Sequence, residues 1–172
     1  MNFIVYGALL VLFSLNCTPQ SSRRGFARVG FLLLTIVGVA IFSSGLFAMD
    51  PAQTPFNELS WHGILHLVCA LIVFSLLPVS CLVFFFAFYR ESDWKAMRRW
   101  SAISLITILV TILSVYIPPS VIPSEIRSYG PWPGILNRVL VGAWLLWQFT
   151  FALALHRRHT EPGQLGRLAS SS

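Results

Sequence analysis

Five long apolar stretches constrain this chain more than any other feature. They cover residues 1–17, 29–49, 61–89, 100–117 and about 135–155. A helix needs about 20 mainly apolar residues to cross the hydrocarbon core of a bilayer, and the middle stretches meet or approach that length. The first is marginal and starts at Met1. Hydrophobic residues make up 56% of the 172-residue chain and charged residues 10%. Soluble domains carry about 25% charged residues, so lipid must cover much of this surface. The expected fold is all-α, an integral membrane bundle of about five transmembrane helices over residues 1–159. A polar, Ser-ended stretch, 160–172, reads as a disordered tail.

The charges set an expected orientation. Arg23, Arg24 and Arg28 follow the first stretch; Arg90, Lys95, Arg98 and Arg99 follow the third; Arg157, Arg158 and Arg167 follow the fifth. With alternate crossings these ten of the twelve basic residues fall on one side. The positive-inside rule makes that side cytoplasmic. The N-terminus is then expected outside and the C-terminus inside. Arg127 and Arg138 fall outside, and the acids divide evenly. The first stretch lacks a basic n-region and a small-x-small cleavage pattern before Cys17, so it reads as a retained helix rather than a signal peptide. Trp61 and Trp132 near one face, and Trp94 and Trp100 near the other, suit interfacial belts.

The same charge distribution argues against nucleic acid. The net charge is +6, but the basic residues are divided among short linkers, not gathered on one solvated face. Cys17, Cys69 and Cys81 lie in or at the end of apolar stretches without CxxC spacing. They read as packing residues.

Polar groups at bilayer depth are costly, so their positions are informative. In the fourth stretch Ser104, Thr107, Thr111 and Ser114 share one helix face. This is either a polar cavity lining or packing, with the hydroxyls bonded to nearby carbonyls; packing is favoured. Asn137, Trp144 and Gln148 share a face of the fifth. Gly38 and Gly45, seven residues apart, with Gly30 nearby, mark close helix approach in the second. Pro78 is expected to kink the third.

The densest polar constellation lies over residues 45–66, GLFAMDPAQTPFNELSWHGILH. The second helix is expected to end at Asp50–Pro51, and Asn57 or Ser60 to cap the third. His62 and His66 are one turn apart, about 6 Å along the axis. That is a spacing zinc enzymes use, although Gly63 stands where HExxH has its Glu. Asp50, Glu58 and Arg138 are expected at one membrane level, and with His62 and His66 they would converge at the outer rim if the helices pack together; His66, about one turn deeper, is the hardest of them to dismiss. A divalent metal such as zinc needs three or four such ligands, with His62, His66 and Asp50 as candidates. The competing reading is that polar residues gather at helix ends because water and headgroups are there, and that Arg138 pairs with a lipid phosphate or with Asp50. This second reading carries more weight, and no cofactor is expected.

These residues carry a resemblance. GLFAMDP, the GxLH element at 63–66, and GILNRVLVGAWLLWQFTFAL at 134–153 resemble the domain-of-unknown-function 998 family of small prokaryotic membrane proteins. Gly45, Phe47 and Asp50 match its Gly-x-Phe-x-x-Asp pattern. His66 matches a His opening the next helix. Gly134 and Arg138 match Gly-Leu-x-x-Arg, with Ile135 in place of Leu. The resemblance covers nearly the whole chain. It implies that Asp50, His66 and Arg138 matter, without implying what they do. It also implies about six helices, so the chain would begin at the family's second, through a misassigned start or a shortened member.

The leading expectation is a structural, accessory or lipid-contacting multi-pass protein of the prokaryotic plasma membrane. Its partners would be lipids, with a second copy or another membrane protein left open. The alternatives are a metal-dependent hydrolase acting on lipid and a small transporter. The transporter would have a polar path between the fourth and fifth helices, lined by Ser104, Thr107, Thr111, Asn137 and Gln148.

Overall fold

The computed structural model describes residues 2–17, 25–51, 54–89, 94–116 and 132–160. The stretches 18–24, 52–53, 90–93 and 117–131 and the tail at 161–172 lie outside the described residues, and with them the expected disordered tail beyond Thr160. The described residues form five α-helices and no strand. These are α1 (Asn2–Cys17), α2 (Gly25–Ser44), α3 (Trp61–Ala87), α4 (Lys95–Tyr116) and α5 (Trp132–Thr160). A single 3-10 turn, Phe56–Glu58, precedes α3.

Four helices are long and apolar enough to cross a membrane, over Gly25–Ser44, Trp61–Ala87, Lys95–Ser114 and Gly134–Arg157. At 1.5 Å per residue α1 is about 24 Å long, short of a core of about 30 Å. The chain is a multi-pass membrane protein. The helix starts differ from the apolar stretches in a consistent way. α2 begins at Gly25 and α4 at Lys95, each four or five residues ahead of the apolar run. Lys and Arg tolerate this because their stems lie along the apolar surface while the charge reaches water. The end of α2 is a correction: it stops at Ser44, and Asp50 lies in the non-helical chain beyond it. Leu46, Ala48 and Met49 continue the apolar run without continuing the helix. α3 runs through Pro78 without a break.

The chain divides into two compact units, Met1–Arg90 and Glu91–Ser172. In the first, α2 packs against both α1 and α3. A Cβ on Gly38 would lie 2.8 Å from Val11 Cγ2, and one on Gly45 2.7 Å from Ile4 Cγ1. A Cβ on Gly7 would run into the α2 backbone at Gly38 and Phe42. These glycines therefore allow the two backbones to touch, as their spacing implied. Ser14 and Thr35 hydroxyls meet across the same contact at 2.8 Å. Gly30 serves the other side of α2, where the Phe84 ring of α3 occupies the space of its missing Cβ. Phe84 also meets Phe31 edge-on, with centroids 5.2 Å apart.

In the second unit α4 packs against α5. Met97, Ser101, Ser104, Ile108 and Thr111 form the buried stripe of α4, and Leu140, Trp144, Trp147 and Phe151 that of α5. Small hydroxyl residues thus share the contact with large rings. Trp147 donates its indole N–H to Ser101 Oγ at 2.9 Å, a buried bond between the two helices. Trp94 is only 8% exposed and packs edge-on against Phe151. It is a core residue of this unit, not a member of an outward belt, because its ring fills the end of the α4–α5 contact. Trp61 and Trp100 do lie exposed.

Candidate functional site

The corner between α2 and α3 brings together the motif residues of the first unit. A helix leaves its last four carbonyls without intrahelical partners, and here all four are satisfied. Gly45 N–H reaches Ile41 O and Phe42 O, and Leu46 N–H reaches Ser43 O. The fourth, Ser44 O, is reached by His66 Nδ1 of α3 at 3.1 Å. The same ring nitrogen lies 3.0 Å from Phe47 O. Both partners are carbonyls, which only accept, so Nδ1 must carry a proton. His66 therefore ties the end of α2, and the turn after it, to the second turn of α3.

The start of α3 is closed just as fully. Ser60 is its N-cap, accepting a hydrogen bond from Gly63 N–H at 3.1 Å. Asp50 Oδ2 in turn accepts from Ser60 N–H at 2.8 Å and from Ser60 Oγ at 3.1 Å. A carboxylate at a helix N-terminus is favoured by the helix dipole. The approach demands Gly63, because a Cβ there would collide with Asp50 Oδ2. The glycine that breaks the zinc-enzyme pattern thus has a packing reason of its own.

Of the remaining candidates in the first unit, the side chains of His62 and Glu58 take no part in these hydrogen bonds. The His62 ring stacks on Trp61 with centroids 3.6 Å apart and lies 6.0 Å from Phe47. Its Nδ1 is buried without a hydrogen-bond partner. Glu58 is exposed on the 3-10 turn. Arg138 belongs to the second unit and is exposed near the start of α5. Its Nη1 lies 3.1 Å from where a Gly134 Cβ would stand, so the guanidinium folds back over the first turn. Among the described residues no three His, Cys, Asp or Glu side chains are placed to hold a metal ion. His66 Nδ1 and Asp50 Oδ2 are committed to the protein's own backbone and to Ser60.

The hydroxyl face of α4 is spent locally. Thr107 bonds Ile103 O at 2.9 Å, Thr111 bonds Thr107 O at 2.7 Å and Ser114 bonds Val110 O at 2.7 Å. Ser104 is buried in the α4–α5 contact. Asn137 is exposed, and Gln148 is half-buried with a buried Nε2. Between these polar groups the buried stripe of α5 is Leu140, Trp144, Trp147 and Phe151, and Trp144 and Trp147 stack at 5.2 Å. The Trp147–Ser101 bond is the polar link that the sequence analysis missed. Its signal was present: buried Trp seeks a partner for its N–H, and Ser101 lies one turn before Ser104 on the same face.

One feature of the corner is open. A groove of about 220 Å³ runs beside the clasp, lined by apolar side chains with Asp50 and Thr54 among them. Neither the curated proteins nor the solved structures contain a match to this chain. The family described as "Protein of unknown function (DUF998)" matches residues 1–154, and that span covers the first unit, most of the second and every motif residue above. The chain belongs to this family of proteins of unknown function.

Proposed function

We propose that this chain is a non-catalytic multi-pass protein of the prokaryotic plasma membrane. In this reading the α2–α3 corner is a rigid, lipid-contacting rim on the outer face. One observation carries it. The polar residues with the strongest claim to chemistry, Asp50 and His66, are used to close helix ends: Asp50 caps α3 through Ser60, and His66 binds the last carbonyl of α2. Around them Leu46, Met49, Phe56 and Trp61 project as exposed apolar groups. Tryptophan and large apolar side chains at a helix end suit the headgroup region. The charge distribution supports the outer placement.

The competing reading is a metal-dependent hydrolase, and one preparation separates the two. The full chain is purified in detergent and its bound metal measured. It is then incubated with phospholipid vesicles and the lipids analysed for cleavage. The expected result is no stoichiometric metal and no cleavage. His66→Ala should lower the thermal midpoint, because two carbonyls lose a shared donor at a cost of about 1–3 kcal/mol. One equivalent of metal in the wild type that is lost in His66→Ala, or cleavage of lipid, overturns the proposal.

A further inference from the structure

We infer that the groove beside Asp50 is a binding site for the primary-amine headgroup of a zwitterionic phospholipid of the phosphatidylethanolamine type. This rests on the lipid-contacting reading above and adds a headgroup to it. The groove is lined by Met49, Asp50, Thr54, Phe56, Leu59 and Leu67, with Pro51 and Gly63 closing it. Among the described residues Asp50 is its one charged lining residue, and no basic side chain lines it. A phosphate or other anionic headgroup would meet an uncompensated like charge there; an ammonium would meet its complement.

The carboxylate has capacity to spare. An ionised carboxylate has about four acceptor positions, and Asp50 uses only Oδ2, toward Ser60. Among the described residues Oδ1 has no hydrogen-bond or ion-pair partner. Because Ser60 and the α3 N-terminus hold Oδ2, the carboxylate is preorganised and a ligand need not order it. Charge-assisted N–H···O bonds are the strong ones. A primary ammonium brings three N–H donors, whereas a trimethylated choline brings none.

The level of the groove fits a headgroup as well. The membrane-spanning stretch of α3 starts at Trp61, one residue past the Ser60 cap, so Asp50 sits at the end of a span and not within it. Leu67 stands in the second turn of α3, and Phe56, 85% exposed, and Met49, 61% exposed, flank the opening. An apolar wall that begins at a carboxylate and descends along a spanning helix matches an amine headgroup followed by its glycerol and acyl chains.

The test uses the full chain in detergent, mixed with equal amounts of phosphatidylethanolamine, phosphatidylcholine and phosphatidylglycerol bearing the same acyl chains. Native mass spectrometry counts the lipid retained. The ethanolamine lipid is expected to be favoured about tenfold over each of the others, the ratio of a single added charge-assisted contact. Asp50→Asn keeps an oxygen that accepts from Ser60 but loses the charge, and should reduce the ratio to about one. Leu67→Trp fills the groove without touching the cap, and should lower ethanolamine-lipid retention while the thermal midpoint holds. Should Asp50→Asn fail to fold, Leu67→Trp decides. Equal retention of all three lipids by the wild type overturns the inference and leaves the non-catalytic, lipid-contacting reading standing. So does a headgroup preference that survives in folded Asp50→Asn or in Leu67→Trp, or a dimer whose formation requires Asp50 in place of lipid. Lipid cleavage in the same mixtures overturns the underlying reading instead.

Discussion

Gly63 shows how much one missing methyl group organises. Its N–H is bound by the Ser60 hydroxyl, and the space of its absent Cβ is taken by Asp50 Oδ2. Adding a Cβ forces the carboxylate off Ser60, which removes two hydrogen bonds and leaves the post-α2 chain tied to α3 through His66. Gly63→Ala is expected to cost about 1–3 kcal/mol, the range for overpacking a tight contact. Alanine is otherwise a better helix former than glycine by about 1 kcal/mol, so intrinsic propensity alone predicts the opposite sign. A lowered thermal midpoint in detergent supports the clasp; a raised one removes Asp50 from it. Ser60 was legible as one of two candidate caps, with Asn57, because capping is local. That Asp50 sits on the cap was not, since nine residues stand between the two in sequence and no period relates them. His66 was legible as a polar residue too deep to dismiss. Its partners, being backbone carbonyls, leave no side-chain signature.

At the scale of the helix, hydropathy located each element and misjudged its ends. It measures affinity for lipid, so it carried α2 through Leu46, Phe47, Ala48 and Met49 although the backbone leaves the helix after Ser44. It also trimmed α4 at Trp100, since Lys95, Arg98 and Arg99 lower the hydropathy of a turn that is helical all the same. Small-residue spacing was the better guide to packing: Gly38 and Gly45 meet α1 as their seven-residue interval implied. The hydroxyls of α4 were legible as a stripe, but the buried face is rotated toward Ser101, Ser104 and Ile108, where α5 presents Trp144 and Trp147. The Trp147–Ser101 bond should therefore couple the two helices. Ser101→Ala and Trp147→Phe, singly and together, should show a coupling of about 1 kcal/mol, the scale of a hydrogen bond between membrane helices. Thr107→Ala should be nearly silent by comparison, within about 0.5 kcal/mol, because its hydroxyl only returns to Ile103 O in its own helix. Unfolding in mixed micelles measures both; additive Ser101 and Trp147 effects would show that the bond contributes nothing.

For the whole molecule the decisive quantity is whether α1 crosses. Four helices meet the length and hydropathy of a span, and α1, at 16 residues, does not. Four crossings put both termini on one side; five put them on opposite sides. Two observations favour five. α1 lies against α2 in backbone contact at Gly7, Gly38 and Gly45, which holds it alongside a spanning helix over most of its length. Arg23 and Arg24 lie between α1 and α2 and Arg28 in the first turn of α2, and basic residues flanking a span are retained in the cytoplasm. On that rule the N-terminus is expected outside, and Arg157, Arg158 and Arg167 predict a C-terminus inside. A short helix can cross by thinning the bilayer locally, at a cost of fractions of a kcal/mol per Å of mismatch, and α2 shares that burden. An epitope at the N-terminus should thus be digested by protease added to intact spheroplasts, and a fluorescent protein fused to the C-terminus should be protected and fluoresce. Replacing Arg23, Arg24 and Arg28 by Gln should leave the C-terminal reporter inside, held by its own arginines, while making the N-terminal epitope partly resistant as α1 loses its cytoplasmic anchor. Complete resistance at the wild-type N-terminus would mean four crossings, with α1 lying against α2 from the cytoplasmic side.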